Sequence, residues 1–460
     1  MRCRLPWPAV FVAAVAVWAA LLPAMGPVRD PDTFWHLASG AAILREGVPR
    51  ADPFSWSVPG AAWVAHEWGY QVLLAAAWRA WGYRGAVALH GVLCLFLVIS
   101  ALRLARAAGA SPAGAGGCAL LVVLALFPVL VLRPQVASYG MFAWWLGSLA
   151  RGRAGWAEGF SLAVLWANLH GSFVLLPGLT AFWALLGSGP RLKLGLLSLA
   201  QAVAACLNPV GPGLWRYAAW CLVRPEFRAI REWQSFDFSR PEAWPVLVLV
   251  CLFPLVASAR RGIPGASVPL AAACMGAALV SARYYPYFVL ALIPLLSPFL
   301  AVVRGRVLAV ASLALVVALT AAVGVRLPAE VVAAEGYPVG GVDYVRAAGL
   351  CRVIAEYAWG GYLILRGVPV FIDGRADVYI PTPVWSDYMR FSRGEGAAEV
   401  AARWGADACL LEPGSEAARG LVRAGWRVGY SDRACVLLLP PQGGALRGCG
   451  LPVRRDPDER

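Results

Sequence analysis

The run Arg29-Asp30-Pro31-Asp32-Thr33-Phe34-Trp35-His36 puts two carboxylates, a guanidinium and an imidazole within eight residues of a chain that is only 14% charged. Ala65-His66-Glu67-Trp68 repeats the pairing of acid and imidazole further on. Carboxylates so placed can take a proton from an attacking hydroxyl or amide. Asp30, Asp32 and Glu67 together also offer oxygen ligands to Mg2+ or Mn2+. A structural role is open to the same residues. Asp30 before Pro31, or Asp32 before Thr33, would cap a helix running through Leu37, Ala41 and Leu44. Two further groups suit phosphate. Arg283-Tyr284-Tyr285 sets a guanidinium beside aromatics, and Asn168 and His170 interrupt an apolar run. Guanidinium forks onto phosphate oxygens, although beside aromatics it also serves as an interfacial anchor. Asn and His between helices can simply bond their neighbours.

The elements that position these groups are membrane spans. The chain is 60% hydrophobic, with a mean hydropathy of +0.64, and a span needs ~20 apolar residues. The net charge of +14 lies in short clusters between apolar runs. That pattern marks cytoplasmic turns and argues against a nucleic-acid surface. Arg2 and Arg4 precede the first run, 7–25, which is long for a cleaved signal peptide and reads as an uncleaved span with its N-terminus inside. An outer loop over about 27–83 follows, including a helix at the interface from Glu67 to Trp81. Later runs at 85–104, 115–132, 136–149, 158–186, 194–207, 244–257, 266–280, 288–302 and 307–325 alternate in direction. Arg103, Arg106, Arg151, Arg153, Arg191, Lys193, Arg260, Arg261, Arg304 and Arg306 mark the inner turns. Because 158–186 has basic residues at both ends, it reads as a hairpin of two short helices with Asn168 and His170 near its outer tip; the alternative is a single span, which would reverse the topology downstream. The fold class is therefore an α-helical polytopic membrane protein of about eleven spans over 1–327, and 328–445 read as an extracytoplasmic α/β domain before a tail at 446–460.

Within 328–445, strand-like runs stand at 352–357, 368–372, 408–411 and 434–439, with helical patterns at 397–404 and 416–424. Cys94, Cys118, Cys206, Cys251 and Cys274 sit inside apolar runs as small core residues. Cys351, Cys409, Cys435 and Cys449 lie where disulfides would form if the domain is outside the cytoplasm.

A multispanning chain with acids in its first outer loop and a C-terminal α/β domain resembles the GT-C glycosyltransferases, and among them the oligosaccharyltransferase catalytic subunits. Their Trp-Trp-Asp-Tyr-Gly motif and following Asp-Gly pair compare with Glu356-Tyr357-Ala358-Trp359-Gly360-Gly361-Tyr362 and Val370-Phe371-Ile372-Asp373-Gly374-Arg375. Gly360 stands where that family has the Asp that reads the acceptor, so the resemblance does not carry sequon specificity with it. The Asp-Pro-Asp, Asn-Leu-His-Gly and Phe-Ile-Asp-Gly-Arg-Ala-Asp segments also look like those of a group of bacterial multispanning membrane proteins. The resemblance implies a bacterial inner-membrane enzyme that moves a sugar from a polyprenyl-phosphate-linked donor to an extracytoplasmic lipid, glycan or protein. Asp30, Asp32 and Glu67 would then be catalytic, and Arg283, His170, His66 and Asn168 would hold the donor phosphate. Trp359, Gly360, Gly361, Tyr362, Asp373, Arg375 and Asp377 would form the acceptor rim, although Arg375 equally suits an ion-pair cluster at a strand end. The alternative is a non-catalytic protein that binds or transports a lipid-linked glycan. A transporter would show interrupted helices in two related halves, and the sequence has no such repeat.

Overall fold

The structure, a computed structural model, describes residues 7–22, 26–28, 30–258, 265–300, 305–323 and 336–441. Arg2, Arg4, Arg29, Arg260, Arg261, Arg304, Cys449 and the tail at 446–460 lie outside the described residues. In chain order the helices begin with α1 Trp7–Leu21, α2 Asp32–Glu46, α3 Trp68–Ala107, α4 Pro112–Leu126, α5 Gln135–Ala150, α6 Trp156–Leu169, α7 Leu175–Leu186 and α8 Arg191–Ala204. They continue with α9 Gly213–Val223, α10 Trp244–Ser258, α11 Ser267–Val280, α12 Tyr285–Leu300 and α13 Gly305–Val323. Short helices α14 Val339–Ala347, α15 Gly360–Leu365, α16 Ala376–Tyr379, α17 Pro383–Ser392, α18 Ala397–Trp404 and α19 Glu416–Arg423 follow. The strands are β1 Val353–Ala355, β2 Ala408–Leu411, β3 Arg427–Ser431 and β4 Val436–Leu439.

The chain divides into two compact units, Met1–Gly26 with Trp81–Leu327, and Pro27–Ala80 with Pro328–Arg460. The segment expected as an outer loop thus packs with the C-terminal segment. The division falls in α3 beside Trp81 and Gly82, whose backbone is non-helical. Gly82 takes a positive φ of 57° there, a conformation a side chain would resist.

In the first unit each expected apolar run is largely helical over its described residues. Local signals set some ends: Ser111 caps α4 by accepting the Gly114 amide at 3.0 Å, and Pro112 opens the first turn. Helix α4 packs on α1 and α12, and α13 packs on α1. The interruption at 166–171 is a bend. His170 leaves α6 with extended backbone, and a single 3-10 turn over Gly171–Val174 leads into α7. Gly159 on α6 and Thr180 on α7 both abut Gln201 of α8. They stand nearly the same number of residues from His170 on either side, so α6 and α7 run antiparallel. Helix α9, inside the polar stretch after α8, is an element that the apolar runs did not announce. Among the described residues, three helical stretches are long and apolar enough to cross a membrane: Trp68–Ala107, Pro112–Val129 and Pro241–Ser258.

The second unit holds one four-stranded sheet of order β1-β2-β4-β3, with β1 parallel to β2 and the other neighbours antiparallel. Every residue of β1 and β2 is buried, whereas β3 is a largely exposed edge strand with a register shift between Val428 and Tyr430. The run at 368–372 is not a named strand. Val370 instead makes isolated bridges to Ser55 and Val353, so it is wedged between the N-terminal segment and β1. The Phe54 carbonyl accepts its amide and the Trp56 amide donates to its carbonyl. Cys409 and Cys435 are free thiols, and Cys351 is disulfide-bonded.

Candidate active site

Helix α2 begins at the acid pair. Asp30 is buried, and its Oδ1 accepts the Asp32 amide at 3.2 Å across Pro31. Its carbonyl takes the Thr33 amide. Asp30 therefore does the work of a helix cap with Pro in the first turn. Asp32 is half-buried, and its Oδ1 accepts the Trp35 indole N–H at 3.0 Å, a contact that i, i+3 spacing on a helix brings together. Two glycines let other backbone come up against this corner. A Cβ on Gly374 would lie 2.2 Å from Asp32 Oδ1, and one on Gly361 would lie 2.6 Å from the Pro31 carbonyl oxygen. Gly360 is similarly close to the Ile372 carbonyl. The glycines of both C-terminal motifs thus serve close approach of the chain to itself, and through Gly374 and Gly361 they fix the start of α2.

Glu67 is buried between two imidazoles. His36 Nε2 stands 3.7 Å from one carboxylate oxygen and His66 Nε2 3.6 Å from the other. These are ion-pair distances rather than short hydrogen bonds. Gln71 approaches His36 Nδ1 at 3.4 Å, and the Val64 carbonyl holds His66 Nδ1 at 3.1 Å. Burial alone would lower the His66 pKa. The charge of Glu67, its hydrogen bond, the charge of Asp377 and the Val64 carbonyl outweigh that and hold it above the usual imidazole value. Asp377, at the second position of α16, is half-buried. Two tyrosines connect the acids. Burial raises the Tyr357 hydroxyl well above its ordinary value, and Asp32, Asp373 and Asp377 push it the same way. Burial likewise raises Tyr337, with Asp30 and Asp32 adding to it. Asp30, Asp32, Glu67, His66 and Asp377 therefore share one neighbourhood in the second unit.

The remaining residues of the expected rim are interior. Trp359 donates its indole N–H to the Gly336 carbonyl at 3.0 Å, and Tyr362 is fully buried, edge-on to Phe34 and beside the tilted ring of Tyr337. Arg375 is buried with Asp52 at 2.6 Å and Asp373 at 2.6 Å, and it lies over the rings of Phe54 and Trp63. The Tyr379 hydroxyl donates to Asp373, and the Asp52 carboxylate also takes the Ser55 amide and hydroxyl. Of the rim residues, then, Asp377 keeps access to solvent, while Trp359, Gly360, Gly361, Tyr362, Asp373 and Arg375 are used in packing.

Arg283, His170 and Asn168 belong to the first unit. The Arg283 guanidinium lies 4.8 Å from the Trp233 ring centroid. His170 Nδ1 is 2.9 Å from the Ser138 hydroxyl and 2.7 Å from the Ser172 hydroxyl, which accepts the Tyr287 hydroxyl at 2.8 Å. The Asn168 amide donates to the Val164 and Leu207 carbonyls, tying α6 to the end of α8. Sequence reading passed over Trp35, Tyr337, Tyr357 and Asp52. Only Trp35 carried a local signal, its helical spacing from Asp32. Among the described residues, no group of three or more His, Cys, Asp or Glu side chains is arranged to hold a metal ion.

No protein-family model matches the sequence, and no curated protein matches it. Solved structures do. The oligosaccharyltransferase of Archaeoglobus fulgidus, solved with a tethered acceptor peptide containing the NVT sequon, aligns over 88% of this chain and 69% of its own at 12% identity, with a TM-score of 0.58. ArnT of Cupriavidus metallidurans bound to undecaprenyl phosphate aligns over 95% of this chain and 99% of its own at 14% identity, with a TM-score of 0.52. Its apo form aligns over 94% and 97% at 15% identity, with a TM-score of 0.54. At such identities the likeness is one of fold: the chain shares its fold with the oligosaccharyltransferase and ArnT structures.

Proposed function

We propose that this protein is a multi-pass glycosyltransferase of the bacterial inner membrane. It transfers a sugar from a polyprenyl-phosphate-linked donor to an extracytoplasmic lipid, glycan or protein. In this reading the helices α1, α3 to α8 and α10 to α13 are the eleven spans, the N-terminus is inside, and the second unit faces outward. The observation that carries the reading is Asp32: a half-buried carboxylate held by an indole at the start of a helix. It stands in a fold shared with a protein solved with undecaprenyl phosphate.

Asp32 accepts the proton of the acceptor hydroxyl or amide as that atom bonds to the anomeric carbon. The bond from that carbon to the phosphate oxygen breaks, and polyprenyl phosphate leaves with the electron pair. A guanidinium or imidazole is the kind of group that meets the charge developing on the phosphate. Asp30 is less suited to the base, because it is buried and engaged as the cap. Glu67 favours the protonated form of His66 at the edge of the acids. A Mg2+ or Mn2+ ion at Asp30, Asp32 and Glu67 would have to draw further oxygen ligands from the donor, and no step of this scheme depends on one.

The test is turnover of a panel of short-chain polyprenyl-phosphate sugars by the purified protein, read as released polyprenyl phosphate. Asp32→Asn keeps size and an oxygen that can accept the Trp35 indole, so the fold should survive while release falls ~100-fold or more. Full turnover by this variant removes Asp32 as the base. Donor binding without turnover by the unaltered protein favours the binding or transport alternative.

A further inference from the structure

The cysteines of the chain leave one bond to be completed. Of the eleven, Cys351 is disulfide-bonded, and the eight others among the described residues are thiols. Cys3 and Cys449 lie outside the described residues. Cys351 stands two residues before β1, and backbone hydrogen bonds fix its place. Its amide and that of Arg352 both donate to Asp407 Oδ2, at 3.2 and 2.9 Å, and the Asp407 amide donates to the Arg352 carbonyl at 2.9 Å. The register of the sheet brings another part of the chain to the same place. Val353 pairs with Ala408 at the start of β2, and Cys409 pairs with Leu438 near the end of β4. Strands β1 and β2 therefore begin at the edge of the sheet where β4 ends, and β2 lies between β1 and β4. Two strand spacings put the end of β4 about 10 Å from the start of β1.

We infer that Cys449 is the partner of Cys351, and that their bond staples the chain after β4 back onto the start of β1. Ten residues lead from Leu439 to Cys449, a reach of up to ~33 Å. That is ample for a bond whose Cα atoms must come within ~4.4–6.8 Å of each other. Cys3 precedes α1 in the other unit, across the membrane from Cys351 in the topology proposed above. Cys409 and Cys435 are fully buried, where an oxidant does not reach them. Closing the bond removes a proton from each thiol and two electrons from the pair. A protein disulfide of the extracytoplasmic compartment accepts both and is left as a dithiol. That the oxidant is met outside the cytoplasm rests on the proposed topology, whereas the pairing rests on the cysteines and the sheet. The ring so closed contains all four strands, including β3, the exposed edge strand that pairs with β4. A ring this long restricts the unfolded chain more than a short one would.

The test is peptide mapping of the full-length protein. Thiols are blocked with N-ethylmaleimide in intact cells and again after denaturation, and the protein is digested with trypsin without reductant. Peptides 347–352 and 448–454 should appear joined, and reduction should remove the joined species almost completely. Cys449→Ser should leave Cys351 open to the maleimide, and Cys435→Ser should leave the joined peptide in place. Should Cys449→Ser fail to fold, the map of the unaltered protein still decides. If the joined peptide is absent from cells but forms when the purified protein meets oxidised glutathione, the pairing stands and the outward placing of the second unit falls. Peptide 347–352 joined to 3–4, or Cys351 blocked by maleimide even after glutathione treatment, overturns the inference.

Discussion

The second unit contains two acidic groups that differ in what surrounds them. In one, Asp52 and Asp373 face Arg375, all three are buried, and Ser55 and Tyr379 take further carboxylate oxygens. Burial would raise the Asp52 pKa, but the Arg375 charge and the hydrogen bonds from Ser55, Arg375 and Phe54 hold it below the ordinary carboxylate value. In the other, Asp32 and Asp377 are half-buried and the basic partners nearby are imidazoles. The first group joins the N-terminal segment to the C-terminal one. The second has carboxylate that a substrate could reach. Acids spent on a buried guanidinium build structure, and acids left at the surface of such a scaffold remain for chemistry.

The largest test of this contrast removes the guanidinium. Arg375→Met leaves two carboxylates buried without their cation, a change that costs ~3–5 kcal/mol. The second unit should unfold at markedly lower denaturant, which its buried tryptophans would report by fluorescence. Asp32→Asn should leave that transition in place. A normal transition in Arg375→Met, or an early one in Asp32→Asn, would erase the distinction between the two groups.

A smaller effect separates position from presence. Gly374→Ala pushes a methyl against Asp32 Oδ1 and the Trp35 indole nitrogen, which a Cβ would approach to 2.2 and 2.9 Å. The atoms that must yield are side-chain ends, so the stability cost should sit near the lower end of the ~1–3 kcal/mol typical of overpacking. The carboxylate nevertheless moves, and turnover should fall with only a small loss of stability. Equal loss of turnover and fold would mean that the glycine serves packing alone.

How much of this could be read in the sequence depends on the range of the interaction. The helices of the first unit were legible because each keeps an apolar run, and the turn between α6 and α7 was legible in Asn168 and His170. Helix α9 escaped because its apolar run, Gly213–Val223 with Arg216 inside it, is too short to read as a span. Strand β3 escaped because an exposed edge, Arg427-Val-Gly-Tyr-Ser431, has no buried apolar face to give it a pattern. Val368–Ile372 misled for the opposite reason: it is buried like a central strand yet makes only isolated bridges. The acids of the site could be named, but their division could not. Asp52 stands 323 residues from Arg375, and nothing in Ala51-Asp52-Pro53 distinguishes a buried partner from an ordinary turn. The closeness of Gly374 to Asp32 is hidden in the same way.

The smallest expected effect concerns His66 and the pH dependence of the second unit. Its pKa in the folded protein lies above the ordinary 6.5 because Glu67, helped by Asp377, outweighs burial. A raised pKa means that folding favours the protonated ring. The stabilisation is therefore complete below the unfolded value near 6.5 and fades as pH climbs through the folded value. Asp52 works in the other direction: its lowered pKa gives stability above the unfolded value of 3.8 that is lost on acidification. Denaturant midpoints measured upward from pH 6 should thus decline gently in the unaltered protein, and His66→Gln should flatten that part of the profile. The decline should be slight, since Glu67 also has His36 as a partner at 3.7 Å and is not left alone when His66 loses its proton. The acid limb below pH 4 should be the same in both proteins, because it belongs to the Arg375 group. A midpoint that rises with pH in the unaltered protein, or a slope unchanged in His66→Gln, would show that His66 is not the cation of the open group.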